Sequence, residues 1–233
     1  MKIDLESKPS YGMAVVTMDK GDLFIAESGS MVAMGPRMSV KTTFNGTGGG
    51  GLLDTLQAAF VGLVRKFLAG ETLFVNKFRS FEDGQQLMIA PPLSGDVEHL
   101  TLQKGQAITV QSCSYLASSH GIKADLIWGG FSMLFSREGA FFLKCYGEGD
   151  LLINCYGAIE KVQVSGRYVV DSGHVVAFEG KLKHQIRKAG GSWKSMLLSG
   201  EGLVLEFQGE GTVWLQSRNL SALVRWITPS LPN

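Results

Sequence analysis

The sequence predicts an all-β fold made of three internally repeated β units, and three features support that class. Glycine is abundant: it supplies 30 of 233 residues, about 13%, whereas its usual share is about 7%. The apolar runs are short, and glycines between them supply the turn positions that antiparallel strands need. The same succession of runs and turns occurs three times along the chain. We therefore expect one structural unit to be repeated.

The first repeated block consists of a glycine turn, a strand, a polar break and a second strand. It aligns without gaps among residues 21–34, 105–118 and 173–184, so that Gly21, Gly105 and Gly173 are the turn residues. Alternation of polar and apolar residues at 175–179 indicates a strand with one buried face.

The second repeated block contributes two further strands to each unit. An apolar run at 73–78, 141–146 or 203–207 reaches a glycine turn, at Gly84, Gly149 or Gly211. A second apolar strand follows each of these glycines, at 87–89, 151–153 and 213–215.

The two blocks together predict a single domain over residues 1–233. Its units are expected at about 12–100, 101–165 and 166–228. Each unit forms a sheet with one apolar face, and three such faces turned inward around a pseudo-threefold axis make a closed or prism-like body with short exposed edges. One shared core is therefore expected.

An amphipathic helix at about 52–69 is expected as an insertion in the first unit only. A glycine-rich stretch at 46–51 precedes it, and at 100° per residue the apolar side chains of 52–68 fall on one side. The side chains of this candidate interaction surface are Leu53, Leu56, Phe60, Leu63, Val64 and Phe67. Three partners fit this face: the protein's own sheet, a neighbouring subunit, or the headgroup region of a membrane.

Charge and cysteine content limit the function class and the compartment. The formal net charge is +1, whereas a nucleic-acid-binding protein is usually basic, so no nucleic-acid partner is expected. Cys113, Cys145 and Cys155 contain no CxxC pair, and their odd number cannot close a disulfide framework. We expect a cytoplasmic protein without a transmembrane helix, with peripheral membrane contact left open.

His174 and Glu179 are the residues that most resemble an enzyme site, because cupins hold a metal with histidines and a glutamate on similar strands. A cupin-type His-x-His pair is absent, since Val176 occupies the second position. The alignment also gives His174 the turn position of Asp22 and Gln106. A structural role for His174 is expected, with no catalytic residue, metal ligand or cofactor site predicted.

A polar ring is the remaining candidate site. The alignment makes Glu27, Gln111 and Glu179 equivalent, each at the end of the first strand of its unit. Three such groups either line a pocket or axis or form hydrogen bonds at three strand breaks, and the second interpretation is favoured.

Several motifs, in order along nearly the whole chain, carry a family resemblance. They are Gly-Gly-Gly-Leu-Leu at 49–53, Ala-Gly-Glu-Thr-Leu-Phe at 69–74, Gly-Glu-Gly at 147–149, Asn-Cys-Tyr-Gly-Ala-Ile at 154–159, Val-Val-Asp-Ser-Gly-His-Val-Val-Ala-Phe-Glu at 169–179, Leu-Ser-Gly-Glu-Gly-Leu-Val at 198–204 and Val-Trp-Leu-Gln-Ser-Arg at 213–218. This set resembles the mitochondrial-biogenesis, or altered-inheritance-of-mitochondria, family, whose bacterial members are mostly uncharacterised. The resemblance implies an all-β fold similar to the tryptophan RNA-binding attenuation protein and related to double-stranded β-helices. It implies no known reaction, and it connects mitochondrial relatives with inner-membrane organisation.

The expected function is therefore that of a noncatalytic scaffold that works by homo-oligomeric assembly, in membrane or envelope organisation. Its partners are copies of itself, another protein or a membrane surface. Three alternatives stay open: a cupin-like small-ligand or metal-binding protein, direct peripheral membrane binding through the helix at 52–68, and, least favoured, RNA binding.

Overall fold

A computed structural model of the chain describes residues 1–44, 74–127, 142–188 and 203–230. These residues are mostly β, which confirms the expected class. Their strands are β1 (Lys2–Glu6), β2 (Met13–Met18), β3 (Leu23–Glu27), β4 (Met31–Met34), β5 (Met38–Phe44), β6 (Phe74–Ser80), β7 (Gln85–Ile89), β8 (Val97–Leu102), β9 (Ala107–Gln111), β10 (Tyr115–Ser119), β11 (Ile122–Ile127), β12 (Phe142–Gly147), β13 (Gly149–Asn154), β14 (Ile159–Asp171), β15 (Val175–Lys188) and β16 (Leu203–Gln216).

The described strands form three antiparallel sheets. A four-stranded sheet has the order β1-β2-β7-β4, and two six-stranded sheets have the orders β5-β6-β3-β10-β13-β8 and β11-β12-β9-β15-β16-β14. The expected unit boundaries at 100/101 and 165/166 fall inside β8 and β14, respectively.

Glycine sets two of the turns between neighbouring strands. Gly21, between β2 and β3, has φ +94°, and Gly105, between β8 and β9, has φ +89°. Side chains with a Cβ rarely adopt this conformation. In the third stretch of chain, the corresponding positive angle belongs to Gly166, with φ +99°, which lies within the long strand β14.

Among the residues that the structure describes, three clusters of buried apolar side chains hold the sheets together. Phe24, Phe78 and Leu87 belong to the first cluster, Ile108, Leu151 and Trp214 to the second, and Phe178, Phe207 and Val213 to the third. All nine are 4% exposed or less. Burial of a large apolar side chain contributes about 1.5–3 kcal/mol to folding, so these clusters supply much of the stability.

A short C-terminal helix, α1 (Leu220–Ile227), follows β16. These residues were expected in the last β unit, and the helix was not predicted. Asn219 caps it, because its Oδ1 accepts hydrogen bonds from the backbone N–H of Ser221 at 2.8 Å and of Ala222 at 3.3 Å. The described residues also contain three turns of 3-10 helix, at Ser112–Ser114, Ser172–His174 and Thr228–Ser230.

The helix expected at about 52–69 lies outside the described residues, and so does its apolar face, Leu53, Leu56, Phe60, Leu63, Val64 and Phe67. In the part of the chain that is described, no helix combines the length and the apolar character needed to cross a bilayer.

Candidate functional site: three corners and an exposed edge

In the described part of the chain, three corners share one local geometry, in which a strand ends, the chain turns within three residues, and the next strand begins. They are corner 1 (residues 27–34), corner 2 (111–118) and corner 3 (171–178). The turns of corners 2 and 3 are 3-10 helical. Corner 1 closes through Ser30, whose backbone N–H and Oγ donate to the carbonyl of Glu27 at 3.2 Å and 2.7 Å.

The strand that leaves each corner has a register shift at the same place. The shift lies between Met31 and Ala33 in β4, between Tyr115 and Ala117 in β10, and between Val175 and Ala177 in β15. A shift of this kind inserts one unpaired residue into a strand. The three inserted residues are Val32, Leu116 and Val176.

The burial of these inserted residues differs sharply. Leu116 and Val176 are 0% exposed, whereas Val32 is 57% exposed. The difference extends along the strands, because β10 is buried throughout, while all four residues of β4 are exposed. Three apolar side chains of β4, Met31, Val32 and Met34, therefore face solvent.

The neighbouring strands explain why corners 2 and 3 are covered. β10 pairs with β3 on the side away from β13, and β15 pairs with β9 on the side away from β16. Among the described strands, β4 pairs with β7 alone, and it forms the edge of its sheet. The segment Met31–Met34 is thus an apolar sheet edge, an unusual feature because proteins generally protect such edges.

The placement predicted for Glu179, at the end of a strand, is wrong. Glu27 and Gln111 do end β3 and β9, but Glu179 lies inside β15 and pairs with Ile108. The strand-end residue of corner 3 is Asp171. The error arose because the glycine and apolar run that starts at Gly173 imitates a strand start.

The strand-end residues also behave differently from one another. The Asp171 Oδ1 accepts a hydrogen bond from the Gly173 N–H at 2.8 Å and so caps the turn of corner 3. Gln111 is buried, and its Oε1 has no hydrogen-bond partner among the described residues. Glu27 lies close enough to Tyr115 to contribute, after burial itself, to the raised pKa of that phenol. The three strand-end residues therefore do not share one role.

His174 occupies corner 3 at the position of Ser30 and Ser114, not at the turn position predicted for it. Its Nδ1 donates a hydrogen bond to the carbonyl of Gln216 at 2.7 Å, since a carbonyl oxygen can only accept. The side-chain nitrogen Nε2 of Gln216 donates in turn to the Gly173 carbonyl at 2.8 Å. These bonds fasten the corner to the end of β16.

An open cleft of about 460 Å³ lies between this corner and α1. His174 and Tyr156 line one part of it, and Trp226 of α1 lines another. The Arg218 guanidinium lies 5.9 Å from the centre of the Tyr156 ring. The lining combines two aromatic rings, one guanidinium and apolar residues of α1. This cleft was not predicted, because α1 was not.

The cysteines are separated by exposure. Burial raises the pKa of the Cys145 thiol to about 12 and that of Cys155 to about 11, which suppresses the reactive thiolate. Cys113, in the turn of corner 2, is exposed. Within the described ranges, no three His, Cys, Asp or Glu side chains are grouped so that they could hold a metal ion.

Comparison with known proteins adds a family and a related fold. The family model described as mitochondrial biogenesis AIM24 matches residues 3–218, so the match stops two residues before α1. An uncharacterised protein of Streptococcus pyogenes serotype M6 is 28% identical over 235 residues, a region that covers 100% of this chain and 92% of that protein. A crystal structure of a Streptococcus pyogenes protein has a TM-score of 0.79 at 24% identity and covers 99% of both chains, which supports the fold alone. The chain belongs to the mitochondrial biogenesis AIM24 family.

Proposed function

We propose that this protein is a noncatalytic β scaffold that works by homo-oligomeric assembly. The observation that carries the proposal is the exposed edge strand β4, with Met31, Val32 and Met34 in solvent. The corresponding residues of β10 and β15 are buried. Covering β4 with a second copy of the chain would remove its apolar side chains from water and pair its free backbone groups.

The same observations support three repeated units that follow one another through one repeated contact. A closed pseudo-threefold arrangement would also need β4 to pair with β14 of the same chain, and among the described strands each of them pairs elsewhere. The three corners have the same register shift, and two of them are joined to the preceding unit by pairings of equal length. A repeated contact of this kind is the simplest way to pack copies of one unit. The result is a rigid body on which an exposed edge acts as a contact surface.

The roles of the polar residues support the noncatalytic part of the proposal. His174 holds the end of β16, and Asp171 caps a turn. Both are the residue types that an enzyme would use for proton transfer, yet their hydrogen bonds stabilise corner 3. The family description, mitochondrial biogenesis, supports a role in organising a membrane or the cell envelope through protein contacts.

The mass of the protein in solution tests the assembly. We expect light scattering to give a multiple of the 25.2 kDa chain mass, and Val32→Lys to reduce it to one chain. The matched control is Val40→Lys, because Val40 is also an exposed valine on an edge strand, at 41% exposure. A wild-type protein with the mass of one chain at all concentrations would contradict the proposal.

Direct membrane contact is a second candidate, favoured by the apolar side chains of α1. Leu220, Val224, Trp226 and Ile227 are all exposed, and Trp226 is 77% exposed. An amphipathic helix with an exposed tryptophan is suited to the headgroup region of a bilayer. Co-flotation with anionic vesicles should then be lost in Trp226→Ser and retained in Tyr11→Ser, which changes an exposed aromatic outside α1. Equal flotation of both variants would contradict this candidate.

A further inference from the structure

We infer that β4 of one copy pairs with the free edge of β14 in a second copy, so that the chains join head to tail. The inference rests on the proposed assembly and specifies its contact. Antiparallel pairing would place Ala33 opposite Val170, Met34 opposite Val169, and Gly35 opposite Tyr168. This contact repeats, between two chains, a pairing that each chain already makes twice within itself.

The register follows from the two pairings within the chain. In the first, Ala117 lies opposite Ala26, the residue before the strand end of corner 1. In the second, Ala177 lies opposite Val110, the residue before the strand end of corner 2. The corresponding alanine of β4 is Ala33.

Its partner is found by the same rule at corner 3. The strand end there is Asp171, and the residue before it is Val170. Each pairing within the chain covers three residue pairs. The new contact is expected to end after the same number of pairs, because Pro36 follows Gly35 and has no backbone N–H to donate.

The buried clusters give an independent argument for the same contact. The first cluster contains Leu116, Ala117 and Leu152, which come from the following unit. The second cluster contains the residues that correspond to them one unit later, Val176, Ala177 and Trp214. Each of these two clusters is thus completed by the same three positions of the next unit.

The third cluster has no such contribution among the described residues. By the register of the strands, the three positions that would supply it are Val32, Ala33 and Met88. Val32 and Ala33 are exposed and Met88 is partly exposed, whereas Leu152 and Trp214 are 0% and 1% exposed. The residues that would complete the third cluster therefore exist, but they face solvent.

The receiving edge is also available. Among the described strands, β14 pairs with β16 alone and lies at the edge of its sheet. Val169 is 47% exposed. Since the two edges are different surfaces, every copy offers one of each, and the contact is heterologous, closing into a ring or growing into a filament.

Disulfide trapping tests this register directly. Met34→Cys and Val169→Cys are made separately in a Cys113→Ser background, because Cys113 is the exposed cysteine. Opposed residues of an antiparallel pair have Cα atoms about 4.5–5.5 Å apart, a separation that a disulfide can span. Both positions are exposed, so neither change should prevent folding.

The Met34→Cys and Val169→Cys variants are then mixed and oxidised, and the mixture should give a covalent dimer that neither variant gives alone. Val40→Cys mixed with Val169→Cys is the control and should give none. A disulfide within one chain of the Met34→Cys, Val169→Cys double variant, without dimers in the mixture, would overturn the inference, as would dimers of Met34→Cys alone. If the protein has a multimeric mass but no disulfide forms in the mixture, the β4–β14 contact is wrong and the proposed assembly is still supported. If it has the mass of one chain, both the contact and the assembly are contradicted.

Discussion

Val176→Ala and Val32→Ala remove the same two methyl groups from corresponding positions, but Val176 is 0% and Val32 57% exposed. Loss of two buried carbons costs about 0.8 kcal/mol each, and the cavity left behind adds to this. We expect Val176→Ala to lower the free energy of unfolding by about 2–3 kcal/mol. Because more than half of Val32 is already in water, Val32→Ala should cost less than about 1 kcal/mol in the single chain.

Guanidinium chloride unfolding followed by circular dichroism measures both effects. The protein is first diluted until light scattering gives the mass of one chain. Equal losses for the two variants would refute the reasoning, because they would mean that β4 is covered within its own chain. At higher concentration the cost of Val32→Ala should rise, since assembly stabilises the folded state by mass action.

Three further changes have outcomes set by local structure. A maleimide at pH 8 should label Cys113 alone in the folded protein, because burial holds the pKa of the other two thiols at about 12 and 11; labelling of all three by mass spectrometry would contradict this. Asn219→Ala removes the cap of α1 and should cost about 1 kcal/mol, visible as lost helical signal; an unchanged spectrum would count against the cap. Gly180→Ala places a Cβ 2.7 Å from the Gly211 Cα and should lower the free energy of unfolding by more than about 2 kcal/mol. The control Gly166→Ala, whose Cβ meets nothing within 4 Å, should lower it by about 1 kcal/mol. Equal losses would contradict the close approach.

The central strands of the sheets were predictable because apolar periodicity is local. The runs at 87–89, 151–153 and 213–215 align in the sequence, and the structure pairs Ile89, Ile153 and Leu215 with the first residues of β4, β10 and β15. Glycine turns at Gly21 and Gly105 were also correctly placed. Both signals depend on a few neighbouring residues.

The third unit was misaligned because a glycine before an apolar run is a weak signal. Gly173 satisfies it, although the positive φ belongs to Gly166. A stronger signal is the recurrence of serine at 28, 112 and 172, followed five residues later by alanine at 33, 117 and 177. It aligns Asp171 with Glu27 and Gln111 and removes Glu179 from the predicted ring.

Two features of the candidate site were not predicted, for different reasons. The helix α1 had a sequence signature, with Asn219 as cap and leucine or valine at 220, 223 and 224, which the assignment to a β unit obscured. The exposure of β4 had none, because Met-Val-Ala-Met has the composition of a buried strand. Whether such a strand is covered depends on its neighbour in space, which a single sequence does not specify.

Hydrogen exchange of the β4 amides tests most directly whether a second copy covers this edge. The amides of Met31–Met34 that do not bond to β7 should exchange slowly when the protein is concentrated and quickly after dilution to single chains. The amides of β10 should be protected at both concentrations, since their partners lie in the same chain. Fast exchange in β4 at every concentration would contradict the account.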